Sequence, residues 1–319
     1  MAEILKKIFY ILFMLFIISL ISFMAIHAAP NSFFGAGELN PNMTKEALEQ
    51  LRAVYGLDKS LSEQYIDWVK SITALNFGVS FVSGSDVSAE ILKRLPITLS
   101  MNFIALLSIF ALSLYLGVKS ALSYEQKIDS LIQKFSLISF SMPSFYLALI
   151  LIIVLSVNLE LFPISGLHSL ESKEGMEYYI DMAWHLVLPI FVMIFVGLGS
   201  MIVYIRSLTL EILKSDYYYF ALSRGIEKKW LLKRYILPNL LPPIITLLGL
   251  SLPGLIGGSV ILESLFGIEG MGQLFFMSAL SRDYPVIMGI LMISAFLSLL
   301  GNVVADLTLL KLNPYLKRG

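Results

Sequence analysis

Apolar residues in this chain are gathered into six long runs rather than alternated with polar ones, at about residues 8–26, 97–118, 137–157, 186–205, 244–262 and 286–305. About 20 mainly apolar residues cross a bilayer as a helix. Hydrocarbon offers no water to an open backbone, so helices that satisfy their own peptide groups are the expected form. The pattern predicts an all-α polytopic membrane protein with six spans. The first run follows Lys6 and Lys7 but exceeds the 7–15 apolar residues usual for a signal peptide. The "AIHAAPNS" after it has no A-x-A-like site, so it is expected to be a retained anchor.

Two polar stretches carry patterns of their own. In the segment 30–95, Thr44 can cap a helix over 45–55 that stops at Gly56, and "SLSE" at 60–63 is a capping-box pattern opening a second helix over 61–75. "NFGVSFVSGS" at 76–85 suggests a short extended piece, and a helix near 87–94 leads to Pro96 at the start of the second run. Such a ledge either covers the outer end of the membrane domain or docks an outside partner. The other stretch is "DYYYFALSRGIEKKWLLKRYILPNLLPP", residues 216–243. A helix over about 208–224 is expected to end at Gly225, where the left-handed conformation costs no steric strain, and a second over 227–237 to stop at Pro238. Tyr217, Phe220, Ala221, Trp230, Leu231 and Tyr235 would form its apolar surface, rimmed by Arg224, Lys228, Lys229, Lys233 and Arg234. A basic amphipathic segment can simply lie on anionic headgroups. The central glycine break suits a projecting knob that enters a cleft.

Composition agrees with the runs: 57% of the 319 residues are hydrophobic and 14% charged, against roughly 25% charged in a soluble domain. The net charge of zero gives no global field to attract nucleic acid. With no cysteine, disulfides, thiolate metal sites and cysteine nucleophiles are excluded. Charge placement is informative instead. If the first residues are cytoplasmic, fifteen of the 23 Lys and Arg fall in inner segments and two, Lys173 and Arg282, in the short outer loops. The six in the long segment are discounted by the positive-inside rule. Both termini and the 216–243 stretch are thereby expected in the cytoplasm.

At the 216–243 stretch the sequence resembles the EAA loop of binding-protein-dependent ABC importer permeases, E-A-A-x3-G-x9-I-x-L-P. Ala221, Gly225, Leu237 and Pro238 match, while Tyr219, Phe220 and Tyr235 replace the Glu, the first Ala and the Ile. Asp216, Tyr217, Ala221 and Gly225 match the D-Y-x3-A-x3-G version of the oligopeptide, dipeptide and nickel branch. "YGLDKSLSEQYIDWV", "SMPSFYLALIL", "GGSVILESLFGIEGMGQLFFMSALSRDYPVIMG" and "DLTLLKLNPYLKRG" are similar to further family segments, with "APNSFFG" in place of P-G-D-P and Asn313 in place of an aspartate. The chain is identified as resembling the first of two permease subunits.

The resemblance implies a type I importer fold with an N-terminal anchor (1–29), an extracytoplasmic insert (30–95), a five-span transmembrane domain (96–310) with its coupling loop at about 206–242, and a cytoplasmic tail (311–319). It implies a similar second permease, two ATPases that bind ATP and Mg, and an extracytoplasmic binding protein, all at the inner membrane of a bacterium. This chain itself is expected to bind no cofactor or metal and to catalyse nothing. Peptides are the expected cargo, with nickel or a nickel chelate as the alternative.

Other classes fit less well. G-x4-G-K-[ST] is absent, so ATP hydrolysis must come from another subunit. An ion-coupled carrier normally keeps an ionisable group in mid-membrane, whereas Glu263 lies at the outer end of the fifth run and Asp306 at the inner end of the sixth. His27, His168 and His185 fall near the outer boundary without a convergent catalytic set. Ser141, Pro143 and Ser144 are candidate linings of the passage. Pro189, Pro253, Gly254, Gly257 and Gly258 either line it or let helices pack closely.

Overall fold

The computed structural model describes residues 2–28, 59–171, 173–252, 254–257 and 259–312. The expected helix over 45–55, Pro253, Gly258 and the end of the tail lie outside them. The described residues are helical apart from loops and one isolated bridge, Val79 to Asp86. We label the helices α1 (Ala2–Ala28), α2 (Leu61–Thr73), α3 (Val87–Leu122), α4 (Lys127–Ser141), α5 (Ser144–Asn158, π-helical from Ile152), α6 (Met176–Leu213), α7 (Asp216–Ser223), α8 (228–251), α9 (Gly254–Gly257), α10 (Val260–Leu265), α11 (Met271–Ser281) and α12 (Tyr284–Leu312).

Four helical stretches are each long and apolar enough to cross a membrane: Lys6–Ala28, Val87–Leu122, Met176–Leu213 and Tyr284–Val304. The expected third and fifth spans differ. Run 137–157 is divided between α4 and α5, which meet at a bend of 97°. Pro143 has no N–H to continue α4 and disfavours helical backbone at Met142, which is extended. Run 244–262 is distributed over α8, α9 and α10, and the described residues contain no single straight helix there. Pro96, expected to start a span, sits inside α3, so the last helix of the outer segment and the second span are one element.

The chain divides into two compact units, residues 1–96 with 270–300, and 97–269 with 301–319. In the first, α2 begins with the expected capping box: Ser60 accepts from the Glu63 amide, and the Glu63 carboxylate accepts from the Ser60 amide. Tyr65 and Trp68 of α2 pack on Phe23, Ile26 and Met288. Asp283 accepts hydrogen bonds from the Ser80 hydroxyl and the Phe81 amide, fastening the extended piece that precedes α3.

The second unit contains the features that position the site. One core joins Met101 of α3, Leu147 and Ala148 of α5, Leu186, Leu188 and Val192 of α6, and Leu262, Phe266 and Ile268 near α10. A second joins Phe110 and Val118 of α3, Ile205 and Ile212 of α6, and Ile236, Leu240 and Ile244 of α8. Lipid tails are as apolar as these side chains, so cohesion depends on close packing and hydrogen bonds. At Gly199 a Cβ would stand 2.5 Å from the Ser136 carbonyl oxygen and 2.6 Å from the Phe140 nitrogen. Only glycine lets α4 and α6 meet backbone to backbone there. The broken stretch near α9 is tied to α3, with Asn102 donating to the Leu255 carbonyl at 2.8 Å and Thr98 donating to the fully buried Glu263 at 3.1 Å. Asn102 thus serves a backbone carbonyl that an unbroken helix would have satisfied.

Candidate coupling surface and passage

The helix expected over 208–224 is two helices. α6 ends at Leu213, and Ser215 turns extended with its hydroxyl donating to the Ile212 carbonyl at 2.6 Å. A serine followed by an aspartate is a start signal for a new helix, and Asp216 places its charge at the positive end of α7.

α7 closes as the glycine predicts. Gly225 has φ +75°, its amide donates to the Leu222 carbonyl at 2.9 Å, and the Ile226 amide donates to the Ala221 carbonyl at 3.4 Å. This pair of bonds is the Schellman arrangement, which satisfies carbonyls at a helix end and reverses the chain. α8 then begins after Glu227 and does not stop at Pro238. Proline removes a donor and crowds the carbonyl four residues earlier, but the preceding turn, Leu232–Ile236, is π-helical and wider. The Asn239 side chain donates through Nδ2 to the Tyr235 carbonyl at 2.6 Å. The helix therefore continues through Pro238, Pro242 and Pro243 into the core.

The hairpin separates an inward from an outward face. Ala221, Leu231, Ile236 and Leu240 are buried, and Tyr218 and Leu232 pack against the core of α3, α6 and α8. Burial raises the pKa of the Tyr218 phenol. Ala221 and Leu231 are therefore anchors rather than parts of the exposed patch. Outward lie Tyr217, Tyr219, Phe220, Leu222 and Trp230, with Phe220 61% and Trp230 48% exposed. Tyr219 and Leu222 were not among the expected surface residues; Tyr219 lies across the helical wheel from Ala221, which is a signal that finds it, whereas Leu222 shares the side of Tyr218 and has no such signal. Two basic residues lie over the aromatics instead of only rimming them, Arg224 at 4.7 Å from the Phe220 ring centre and Arg234 at 4.9 Å from that of Trp230.

Sequence reasoning missed the ion pair at the root of the hairpin. Arg206, near the end of α6, donates to both carboxylate oxygens of Asp129 on α4 at 2.8 Å each. Ser120 at the end of α3 donates at 2.5 Å and the Glu125 amide at 3.2 Å. Asp129 and Ser120 are buried, and through Ser120 and Arg206 one carboxylate fastens three helices just before the chain enters α7.

The passage candidates Ser141, Pro143 and Ser144 stand together at the 97° bend. Ser139 donates to the Phe195 carbonyl of α6. Phe195 lies about 16 Å along the helix axis from Arg206, about half the hydrocarbon thickness. A Cβ on Gly257 would meet nothing within 4 Å, so this glycine does not mark close packing within the chain. The histidines have contacts within the fold: His27 with the Phe23 carbonyl at 2.9 Å, His185 with the Asp181 carbonyl at 2.8 Å, and His168 stacked on Tyr178.

Residues 100–318 match the family described as the inner membrane component of binding-protein-dependent transport systems, and residues 1–102 match its N-terminal counterpart. The chain is 37% identical to the oligopeptide transport system permease protein AppB of Bacillus subtilis over 93% of each chain. It is 31% identical to the dipeptide transport system permease protein DppB of Lactococcus lactis, covering 98% of this chain and 97% of the relative. It is also 31% identical to the nickel import system permease protein NikB of Staphylococcus aureus, covering 98% and 90%.

Proposed function

The chain belongs to the family of inner membrane components of binding-protein-dependent transport systems, and on that premise we propose that it is a permease subunit of an ATP-driven importer of peptides. It works beside a second, similar permease and two ATPase subunits, which bind ATP and Mg. An extracytoplasmic binding protein delivers the cargo. The setting is the cytoplasmic membrane of a bacterium, with both termini inside, as the Lys and Arg distribution indicates. Peptides are preferred because the oligopeptide permease is 37% identical to the chain, against 31% for the nickel permease. The nickel relative makes a chelated metal, carried whole, the second reading. A bare nickel ion would favour a cluster of nitrogen or sulfur ligands, whereas the sequence has three histidines and no cysteine.

The observation that carries the proposal is the hairpin 215–236, aromatic and cationic outside and continuous with the core inside. An ATPase cleft closing on Tyr217, Phe220 and Trp230 would move Ile236 and Leu240 together with Phe110 and Ile205. Asp216, Tyr217, Ala221, Gly225, Leu237 and Pro238 act together as the coupling element. The bend at Ser141, Pro143 and Ser144 and the open surface at Gly257 are where the rearrangement reaches the passage, with Gly258 beside them in sequence.

Gly225→Ile tests the coupling role with little side-chain interference, because a Cβ there meets nothing within 4 Å. A β-branched residue at φ +75° is strained by about 1–3 kcal/mol. We expect normal insertion, with ATPase co-purification and peptide uptake each reduced several-fold. Gly225→Asn, which tolerates the left-handed conformation, should retain most of both. Normal uptake in the isoleucine variant would overturn the assignment.

A further inference from the structure

α4 and α6 border an open groove of about 590 Å³ on the second unit, and its lining changes character along its length. Ser130, Gln133 and Lys134 of α4 lie toward the end marked by the Asp129–Arg206 pair, with Val203 of α6 at the same level. Ser136, Gly199 and Ser200 follow, and Leu137 and Phe140 form the deep end. From Ser130 to Phe140 the groove covers about 15 Å of helix, the depth of one leaflet's hydrocarbon.

Its charge is simple. Asp129, the carboxylate beside it, is neutralised by Arg206 through two hydrogen bonds. Lys134 is exposed and has no hydrogen-bond or ion-pair partner among the described residues. The Gln133 amide donates to Ser120 at 3.3 Å, retaining its carbonyl oxygen and a second N–H. The Ser136 hydroxyl is committed to the Ile132 carbonyl at 2.8 Å. A cation and an amide donor therefore stand at the polar end, with Ser200 partway down and only apolar side chains beyond.

We propose that this groove is a binding site for an anionic glycerophospholipid of the cytoplasmic leaflet. Lys134 pairs with the phosphate, Gln133 and Ser200 serve the headgroup and glycerol region, and one acyl chain lies along Leu137 and Phe140. An amphiphile matches the lining because it is polar at one end only. A peptide in transit would need partners for its amides along the whole groove, and Leu137 and Phe140 provide none. The proposal rests on the orientation given above, which places the Lys134 end at the cytoplasmic surface. Anionic lipid is attracted to basic side chains between helices on that side.

The test is native mass spectrometry of the assembled transporter after equilibration in nanodiscs of phosphatidylglycerol and phosphatidylcholine. The wild type should retain phosphatidylglycerol with a five- to tenfold preference, about the worth of one charge-assisted contact. Lys134→Gln should abolish the preference. Lys134→Arg should preserve it, as should Lys127→Gln, on the same helix but outside the groove. Equal retention of the two lipids by the wild type, or an unchanged preference in Lys134→Gln, would overturn the proposal. So would cross-linking of a photoreactive residue at position 137 to peptide or to a second permease. Lipid preference is read on this subunit whether or not ATPases remain bound, so its loss is distinguishable from failure of the importer assignment.

Discussion

Arg206→Leu should destabilise the folded protein by about 3–5 kcal/mol, because it strands a buried carboxylate without its countercharge. Asp129 would keep the Ser120 hydroxyl and the Glu125 amide but lose the guanidinium that reaches both of its oxygens. The expected readout is a large fall in the thermal midpoint of the detergent-solubilised protein. The double variant Asp129→Leu with Arg206→Leu should recover most of that loss, since an apolar pair of similar size leaves no charge to desolvate. If the single variant is as stable as the wild type, the pair is not a structural clasp. If the double variant is stable yet fails in uptake, the clasp also matters for transmitting movement from α7 into α4.

The second large effect concerns association rather than stability. Phe220 and Trp230 project from opposite arms of the hairpin, each with an arginine over its ring. Buried aromatics at the centre of an interface often contribute about 2 kcal/mol or more each on truncation, roughly 30-fold in affinity. Phe220→Ala and Trp230→Ala should each weaken ATPase binding on that scale, and together nearly abolish co-purification. Both residues are well exposed, so the thermal midpoint of the isolated subunit should hardly move. Leu231→Ala gives the contrasting result, because Leu231 is 1% exposed in the core. It should lower the thermal midpoint first and affect binding only as a consequence.

Local chemistry explains what was legible in the sequence. The capping box at Ser60 and Glu63 and the helix end at Gly225 depend on neighbours within a few residues, and both take the expected form. The apolar runs identified the membrane class for the same reason, since burial in lipid constrains each run by itself. Proline was the main source of displaced boundaries. At Pro143 the chain bends by 97° within an apolar run, while at Pro96 and Pro238 the helix continues. The difference at Pro238 is a π-helical turn, which changes which carbonyls remain to be satisfied and has no simple composition signal. Asp129 and Arg206 were beyond reach because 77 residues separate them, and only the packing of α4 along α6 brings them together. The burial of Ala221 and Leu231 is likewise a product of tertiary packing, which no reading of the hairpin alone contains.

The most direct measurement is photocrosslinking in intact cells from a benzophenone amino acid at position 219, an exposed point on the hairpin, followed by mass spectrometric identification of the adduct. The account predicts an ATPase subunit as the principal adduct, and a reduced yield when Phe220 and Trp230 are both alanine. Adducts with lipid alone would show that the segment lies on the membrane surface, and adducts with an extracytoplasmic protein would reverse the orientation. Either result would contradict the coupling role of this hairpin.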